Sequence, residues 1–165
     1  GVISIEATNF TRKTEKNGVK INTIDGLGYA AKSLQLGSIA DNSFNSSSVE
    51  YDFYTTSAGS ATIYSYALPV FPKNKEHTTQ YGLTIDDSYM RWMNIATQSQ
   101  ENSFEWKNNV IRNCAINTTT ISIGKPGKHT LKITAGDPGM IIQKVVIDFG
   151  GMKRSYLGSP PTLVN

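Results

Sequence analysis

The chain has 165 residues, a net charge of +3 and a single cysteine, Cys114, so it suits one domain that folds without an internal disulfide. Only 18% of residues are charged, and Glu15 interrupts the densest basic piece, Arg12-Lys13 with Lys16, which leaves no clustered face for nucleic acid. No apolar run reaches the roughly 18 residues of a membrane span.

The chain opens on Val2-Ile3-Ser4-Ile5 with no leader-like segment, as an excised domain or a processed product would. Taken in order, strands are predicted over 2–7 and 29–34, with the Ser/Asn-rich stretch 42–48 an exposed loop. Val49, Tyr51 and Phe53 alternate with Glu50 and Asp52, and Ala61, Ile63 and Ser65 alternate with Thr62 and Tyr64. A period of two marks strands with one buried face. Strands follow over 81–85 and 90–95, and Trp92 on the second reads as core. The stretch 100–113 has poor helical spacing (Phe104, Trp106, Val110, Ile111) and reads as loop with one turn. A strand is predicted over 119–123. Leu131, Ile133 and Ala135 then alternate with Thr130, Lys132 and Thr134. Ile141, Val145, Ile147 and Phe149 share one parity, with Lys144 and Asp148 on the other. Asp137-Pro138-Gly139 between these two runs predicts adjacent strands finishing one antiparallel sheet. Ser159-Pro160-Pro161 ends the ladder, so the division is a module over 1–158 and a tail over 159–165. About nine strands at this spacing predict an all-β, antiparallel β-sandwich.

Six pieces in order carry a family resemblance. They are Ile5-Glu6-Ala7; Gly26-Leu27-Gly28; Glu50-Tyr51-Asp52-Phe53-Tyr54; Leu68-Pro69-Val70-Phe71-Pro72; Ile85-Asp86-Asp87; and Trp106 with Asn109-Val110-Ile111-Arg112-Asn113. The most specific piece follows them. It is Gly127-Lys128-His129-Thr130-Leu131-Lys132-Ile133, then Asp137 to Asp148, Gly150-Gly151 and Ser155-Tyr156-Leu157-Gly158. The chain resembles the C-terminal β-sandwich domain of family 115 glycoside hydrolases, bacterial α-glucuronidases acting on xylan. The resemblance implies a jelly-roll-like module, similar to carbohydrate-binding modules of families 6 and 35, without catalytic residues of its own. It implies as partners xylan or glucuronoxylan, upstream catalytic domains and a homodimer, with no nucleic acid and no membrane. It implies an extracellular, cell-surface or periplasmic bacterial location. In the related modules an acidic residue where Thr8 stands helps hold a structural calcium ion. Thr8 argues against that ion, and no cofactor is expected.

The resemblance also implies a ligand site. An early-loop aromatic, a later-loop tryptophan and an amide near the last strand build it in families 6 and 35; by position these are Tyr29, Trp106 and Gln143. Sugars pack flat C–H faces on rings while their hydroxyls seek polar groups, the usual make-up of a small-molecule site. Gln143 shares parity with Ile141 and Val145, so its amide must find partners indoors, from a loop or from a ligand. Arg112 either pairs with a uronic carboxylate through its planar fork or packs in an Asn-rich loop.

Other constellations have plainer readings. Asp86-Asp87 is a carboxylate pair of the kind glycoside hydrolysis needs, but strand neighbours face opposite ways, and Asp-Asp-Ser after a strand reads as a turn. His77 and His129 lack metal-ligand spacing, and His129 reads as a polar edge residue. Cys114 reads as a small buried apolar residue. No nucleophile, Walker or dinucleotide motif is present. Three functions follow as expectations. One is a non-catalytic module that targets xylan or uronic acid-bearing glycans. Another is a structural or dimerisation domain that completes a parent active site. A stand-alone hydrolase is disfavoured, because no catalytic constellation is present.

Overall fold

Where apolar residues alternate with polar ones the backbone is extended, and the strands pair into two facing antiparallel sheets. The computed structural model describes residues 1–41, 47–72, 79–95, 103–153, 155 and 157–162. His77, Tyr156, residues 42–46 of the Ser/Asn-rich loop and the start of the 100–113 stretch lie outside the described residues. The elements are β1 (Val2–Glu6), β2 (Arg12–Thr14), β3 (Ile21–Asp25), β4 (Lys32–Leu36), β5 (Ser48–Thr55) and β6 (Gly59–Ala67). Then come β7 (Gln80–Ile85), β8 (Arg91–Asn94), α1 (Phe104–Ile111), β9 (Ala115–Ile123), β10 (Gly127–Ala135) and β11 (Met140–Asp148). Among the described residues no helix is long and apolar enough to cross a membrane.

One sheet runs β3-β4-β11-β6-β9, and β1 shares a side of β11 with β4. β4 pairs with Met140 to Ile142, and β1 pairs with the stretch from Lys144 to Asp148. The other sheet runs β2-β5-β10-β7-β8. Inward-facing Leu34, Leu36, Ile63, Met140 and Ile142 of the first sheet meet Tyr51, Tyr81, Leu83, Leu131 and Ile133 of the second in one continuous core. Removing these side chains from water is the main force holding the sheets together.

Several sequence expectations change here. β10 and β11 are not neighbours in one sheet; they lie in opposite sheets, and the Pro-Gly connection crosses between them. β10 already has β5 and β7 on its two sides. The crossing is pinned by Asp137, whose N–H donates to the Gln80 carbonyl at 2.7 Å while its carboxylate accepts the Gln80 N–H at 2.6 Å. Gly136 permits this, since a Cβ there would sit 2.2 Å from the Gln80 carbonyl oxygen. The single parity expected along β11 is broken as well. The pairing with β6 shifts register between Ile142 and Lys144, so Met140 and Ile142 face inward before the bulge and Val145 and Ile147 after it. Two edge strands, β2 and β3, were not expected. β2 is exposed throughout and β3 over most of its length, so neither carries an apolar alternation. Residues 100–113 contain a true helix, α1, capped by the Ser103 hydroxyl, which accepts the Trp106 N–H at 3.0 Å.

The outer face of the first sheet is also covered. Tyr66, Cys114 and Val146 are buried there, with Val2, Tyr29, Tyr64, Ile116 and Met152 packed on them. The C-terminal residues run along β1: Thr162 exchanges two hydrogen bonds with Ser4, and the Ser159 carbonyl accepts from the Ser4 hydroxyl and the Lys144 ammonium.

Candidate functional site

The loop between β3 and β4 builds the first part of the site. The strand expected over 29–34 starts only at Lys32, because Gly28 (φ +84°) and Ala31 (φ 56°) turn the chain through the left-handed region. Gly26 N–H donates to the Ala31 carbonyl at 2.7 Å and closes the turn. Tyr29 therefore sits in a loop, half-buried, with its hydroxyl donating to the Arg112 carbonyl at 2.5 Å.

Gln143 is the bulge residue of β11 and is 3% exposed. Its Oε1 accepts the Tyr29 N–H at 3.0 Å, which fixes the orientation of the amide. The loop approaches so closely that a Cβ on Gly28 would lie 2.9 Å from that oxygen. The donor half, Nε2, is buried with no hydrogen-bond partner among the described residues. Buried amide donors are seldom left so. Arg112 closes α1. Its Nε donates to the Cys114 carbonyl at 2.6 Å and its Nη2 to Asn109 Oδ1. Tyr29, Arg112 and Gln143 are thus linked into one structure at one end of the sandwich.

Among the described residues Trp106 is joined to them through the helix. It is half-buried and lines a separate hollow of about 70 Å³ with Pro69, Phe71, Ile95 and Asn109. Trp92, expected in the core, is 45% exposed. It stands opposite Gly82, which presents no side chain, and its ring reaches Gly136. The other face of β8 supplies the core residue, Met93. A larger hollow, about 420 Å³, contains none of the four expected residues; it lies on the flank between β1 and β5. Its sequence signal was Tyr54, a large aromatic on the polar parity of β5.

Asp86 and His129 serve the fold. Asp86 (φ 50°) turns the chain after β7, and its carboxylate accepts the Thr130 N–H at 2.9 Å. Its second oxygen lies 2.7 Å from His129 Nδ1, and His129 Nε2 lies 2.9 Å from the Lys125 carbonyl. His129 is therefore no edge residue: it is 5% exposed, on the inward parity of β10, beside the Phe53 ring. Burial pushes the Cys114 thiol pKa up. Among the described residues no group of three His, Cys, Asp or Glu side chains could hold a metal. At the position where a calcium ligand is expected, Thr8 offers a hydroxyl. The nearby Glu6 is half-buried, its carboxyl pKa raised by burial and opposed by the Lys144 charge across the ladder.

The profile of the glycosyl hydrolase family 115 C-terminal domain matches residues 1–161. The chain belongs to this family. Among solved structures it is similar to the family GH115 4-O-methyl-α-glucuronidase BtGH115A, with a TM-score of 0.65 and 23% identity. That match covers 84% of this chain and 17% of the enzyme's, so the chain spans a small part of the enzyme's length. The C-terminal CBM6 of the laminarinase LamC from Zobellia galactanivorans matches with a TM-score of 0.58 and 12% identity, over 90% of this chain and 99% of that one. A family 35 carbohydrate-binding module from Clostridium thermocellum matches with a TM-score of 0.58 and 10% identity, over 88% and 97%. These likenesses show the fold: the β-sandwich of carbohydrate-binding modules. No curated protein sequence matches the chain.

Proposed function

We propose that the domain is a non-catalytic, carbohydrate-binding-type module of a larger α-glucuronidase-like glycoside hydrolase, reading uronic acid-bearing glycans at the loop end of its sandwich. The observation that carries this reading is the convergence of Tyr29, Arg112 and Gln143 there, with the Gln143 Nε2 donor unpartnered. In this reading Tyr29 supplies one ring face and Trp106 a second from its own hollow along α1, the Arg112 guanidinium exchanges its Asn109 contact for a carboxylate, and the Gln143 amide is recruited when the loop opens on a ligand. Glucuronoxylan is the first candidate ligand. BtGH115A has specificity for decorated arabinogalactans, which makes acidic side chains on arabinogalactan the second. Both polymers are too large to enter a cell, so the module works outside a bacterial cytoplasm, at the surface or in the periplasm, in company with catalytic domains.

The test is titration of the domain with uronic acid-bearing oligosaccharides from both polymers, using the parent and Trp106→Ala with its melting curve unchanged. The variant should bind at least about tenfold more weakly, as for an aromatic anchor. Equal binding by parent and variant would remove Trp106 from the site. No binding by the parent would favour a second reading, a docking or dimerisation domain. That reading has its own observation: Phe104 and Ile111 on α1, with Phe71 on the β6–β7 connection, are large, apolar and exposed. Sedimentation that reveals a tight dimer without sugar binding would establish it.

A further inference from the structure

The 420 Å³ flank hollow has the size of a small-ligand site and lies apart from the loop end. It exists because the sandwich is open there. β2 pairs with β5 only from Ser48 to Glu50, so among the described strands the rest of β5 has no neighbour on that side. Facing it is β1, whose outer side is met by Thr162 at Ser4. The gap leaves an apolar floor of Ile3, Ile5 and Phe53, partly reachable from solvent. Tyr54 stands at the mouth, 68% exposed, with Asn9 and Glu6 on the opposite rim.

The charges of the hollow decide the kind of ligand. Among the described residues Lys128 is its one lining cation, and its ammonium is bonded to Asp52 Oδ2 at 2.9 Å. Asp52 also accepts from Arg12 Nη1 at 2.9 Å, Arg12 Nη2 at 2.6 Å and the Thr130 hydroxyl at 2.9 Å, so the carboxylate is saturated. Glu6 adds a carboxyl group to the rim; the Lys144 charge that faces it across the ladder is not among the residues lining the hollow, and its ammonium already donates to the Ser159 carbonyl. An anionic sugar in the hollow would meet the Glu6 carboxyl with no cation of the lining to bind it. A neutral one can lay a C–H face on the Tyr54 ring and floor while its hydroxyls reach the Asn9 amide and the Glu6 carboxyl.

We infer that this hollow is a second glycan site, taking a short neutral stretch of polysaccharide such as unsubstituted pyranose units of a main chain. The inference rests on the reading that the domain binds glycans. It complements the loop-end site, which has the guanidinium for an acidic substituent. Two such sites on one small domain would raise the avidity for a substituted polymer without tight binding at either.

The experiment is amide NMR of the domain titrated separately with neutral xylo-oligosaccharides, neutral galacto-oligosaccharides and aldouronic oligosaccharides. Parent, Tyr54→Ala, Asn9→Ala and Trp106→Ala are compared; Tyr54 and Asn9 are exposed, so their loss leaves the core intact. At least one neutral sugar should shift Ile3, Ile5, Phe53 and Lys128 amides. That response should weaken at least tenfold in Tyr54→Ala, weaken in Asn9→Ala and persist in Trp106→Ala. Shifts confined to the loop end, with the flank silent to both neutral sugars, would overturn the flank site and leave the functional reading standing. A flank response unchanged in Tyr54→Ala would also overturn it. No shift with any sugar would overturn both readings.

Discussion

Gly28→Ala is the substitution that most directly probes how the loop-end site is held. Gly28 lies at φ +84°, where an added Cβ would sit 2.6 Å from Ser33 Oγ and 2.9 Å from Gln143 Oε1. Two costs follow. The left-handed conformation costs an alanine about 1–2 kcal/mol. The crowding then displaces two hydrogen-bonded groups: Gln143, which accepts the Tyr29 N–H, and Ser33, whose hydroxyl donates to the Leu27 carbonyl at 2.9 Å. Each lost bond is worth about 1 kcal/mol, more where a buried group is left bare. The expected loss is about 3–4 kcal/mol, or roughly 10 °C in melting temperature for a domain of this size. Gly26→Ala is the internal control: its φ is +77° and a Cβ there meets nothing within 4 Å, so it should cost only the conformational part. Urea melts of the two variants measure the difference. Equal losses would refute the close packing of Gly28 on Gln143.

Other outcomes are expected from the same structure. The Glu15 carboxylate accepts the Ile21 N–H and pairs with Lys13 and Lys20, which holds its pKa down at about 2 against an ordinary 4.5. A depressed carboxyl stabilises fully above the ordinary value and loses that contribution as pH falls toward about 2. Melting curves of the parent should decline across that window more steeply than those of Glu15→Gln, and parallel curves would contradict the pairing. Asp86→Ala strips partners from buried His129 and from the Thr130 N–H, so it should cost about 2–3 kcal/mol in a denaturant melt. Neither Asp86→Ala nor Asp87→Ala should alter a hydrolytic blank on aryl glycosides; turnover in the parent that vanishes in either variant would restore the pair as catalytic. Cys114 is fully buried with its thiol pKa raised, so a colorimetric thiol reagent should react at a useful rate only when the domain is unfolded.

Alternation made most of the core legible. Val49, Tyr51, Phe53, Leu131 and Ile133 all face inward as their parity requires. Parity failed where one residue was inserted: the β11 bulge at Gln143 exchanges the roles of Ile141 and Ile142, and nothing local in the sequence announces it. β2 and most of β3 were invisible because an exposed edge strand needs no apolar face. The sheet exchange between β10 and β11 depends on Asp137 reaching Gln80, a contact 57 positions apart, while the Pro-Gly signal itself is shared by hairpins and crossings alike. The tie from His129 to Asp86 is likewise long-range. Tyr29 and Gln143 could be singled out only through the family resemblance, and Arg112 only by its chemistry and nearness to Trp106, since no spacing joins positions on a loop, a helix end and a bulge.

The short helix explains why binding and docking need not compete. α1 buries only Asn109, a polar residue, so its sequence shows no apolar stripe and reads as loop. Its buried side is polar: Asn109 Oδ1 accepts from the Arg112 guanidinium, and the Arg112 carbonyl accepts from the Tyr29 hydroxyl. Its outward side carries Phe104 and Ile111, seven positions apart and so on nearly the same face. Apart from half-buried Trp106, α1 is held by hydrogen bonds while its other large apolar groups face water, so its own domain holds it weakly. A neighbouring domain that covered Phe104 and Ile111 would fix the helix and, through Arg112 and Tyr29, stiffen the loop end. On this reasoning glycan affinity at the loop end should be higher in the intact enzyme than in the isolated domain, and Ile111→Ser should abolish that gain while leaving the isolated domain's affinity unchanged. Equal affinities for domain and intact enzyme would separate the two roles of α1.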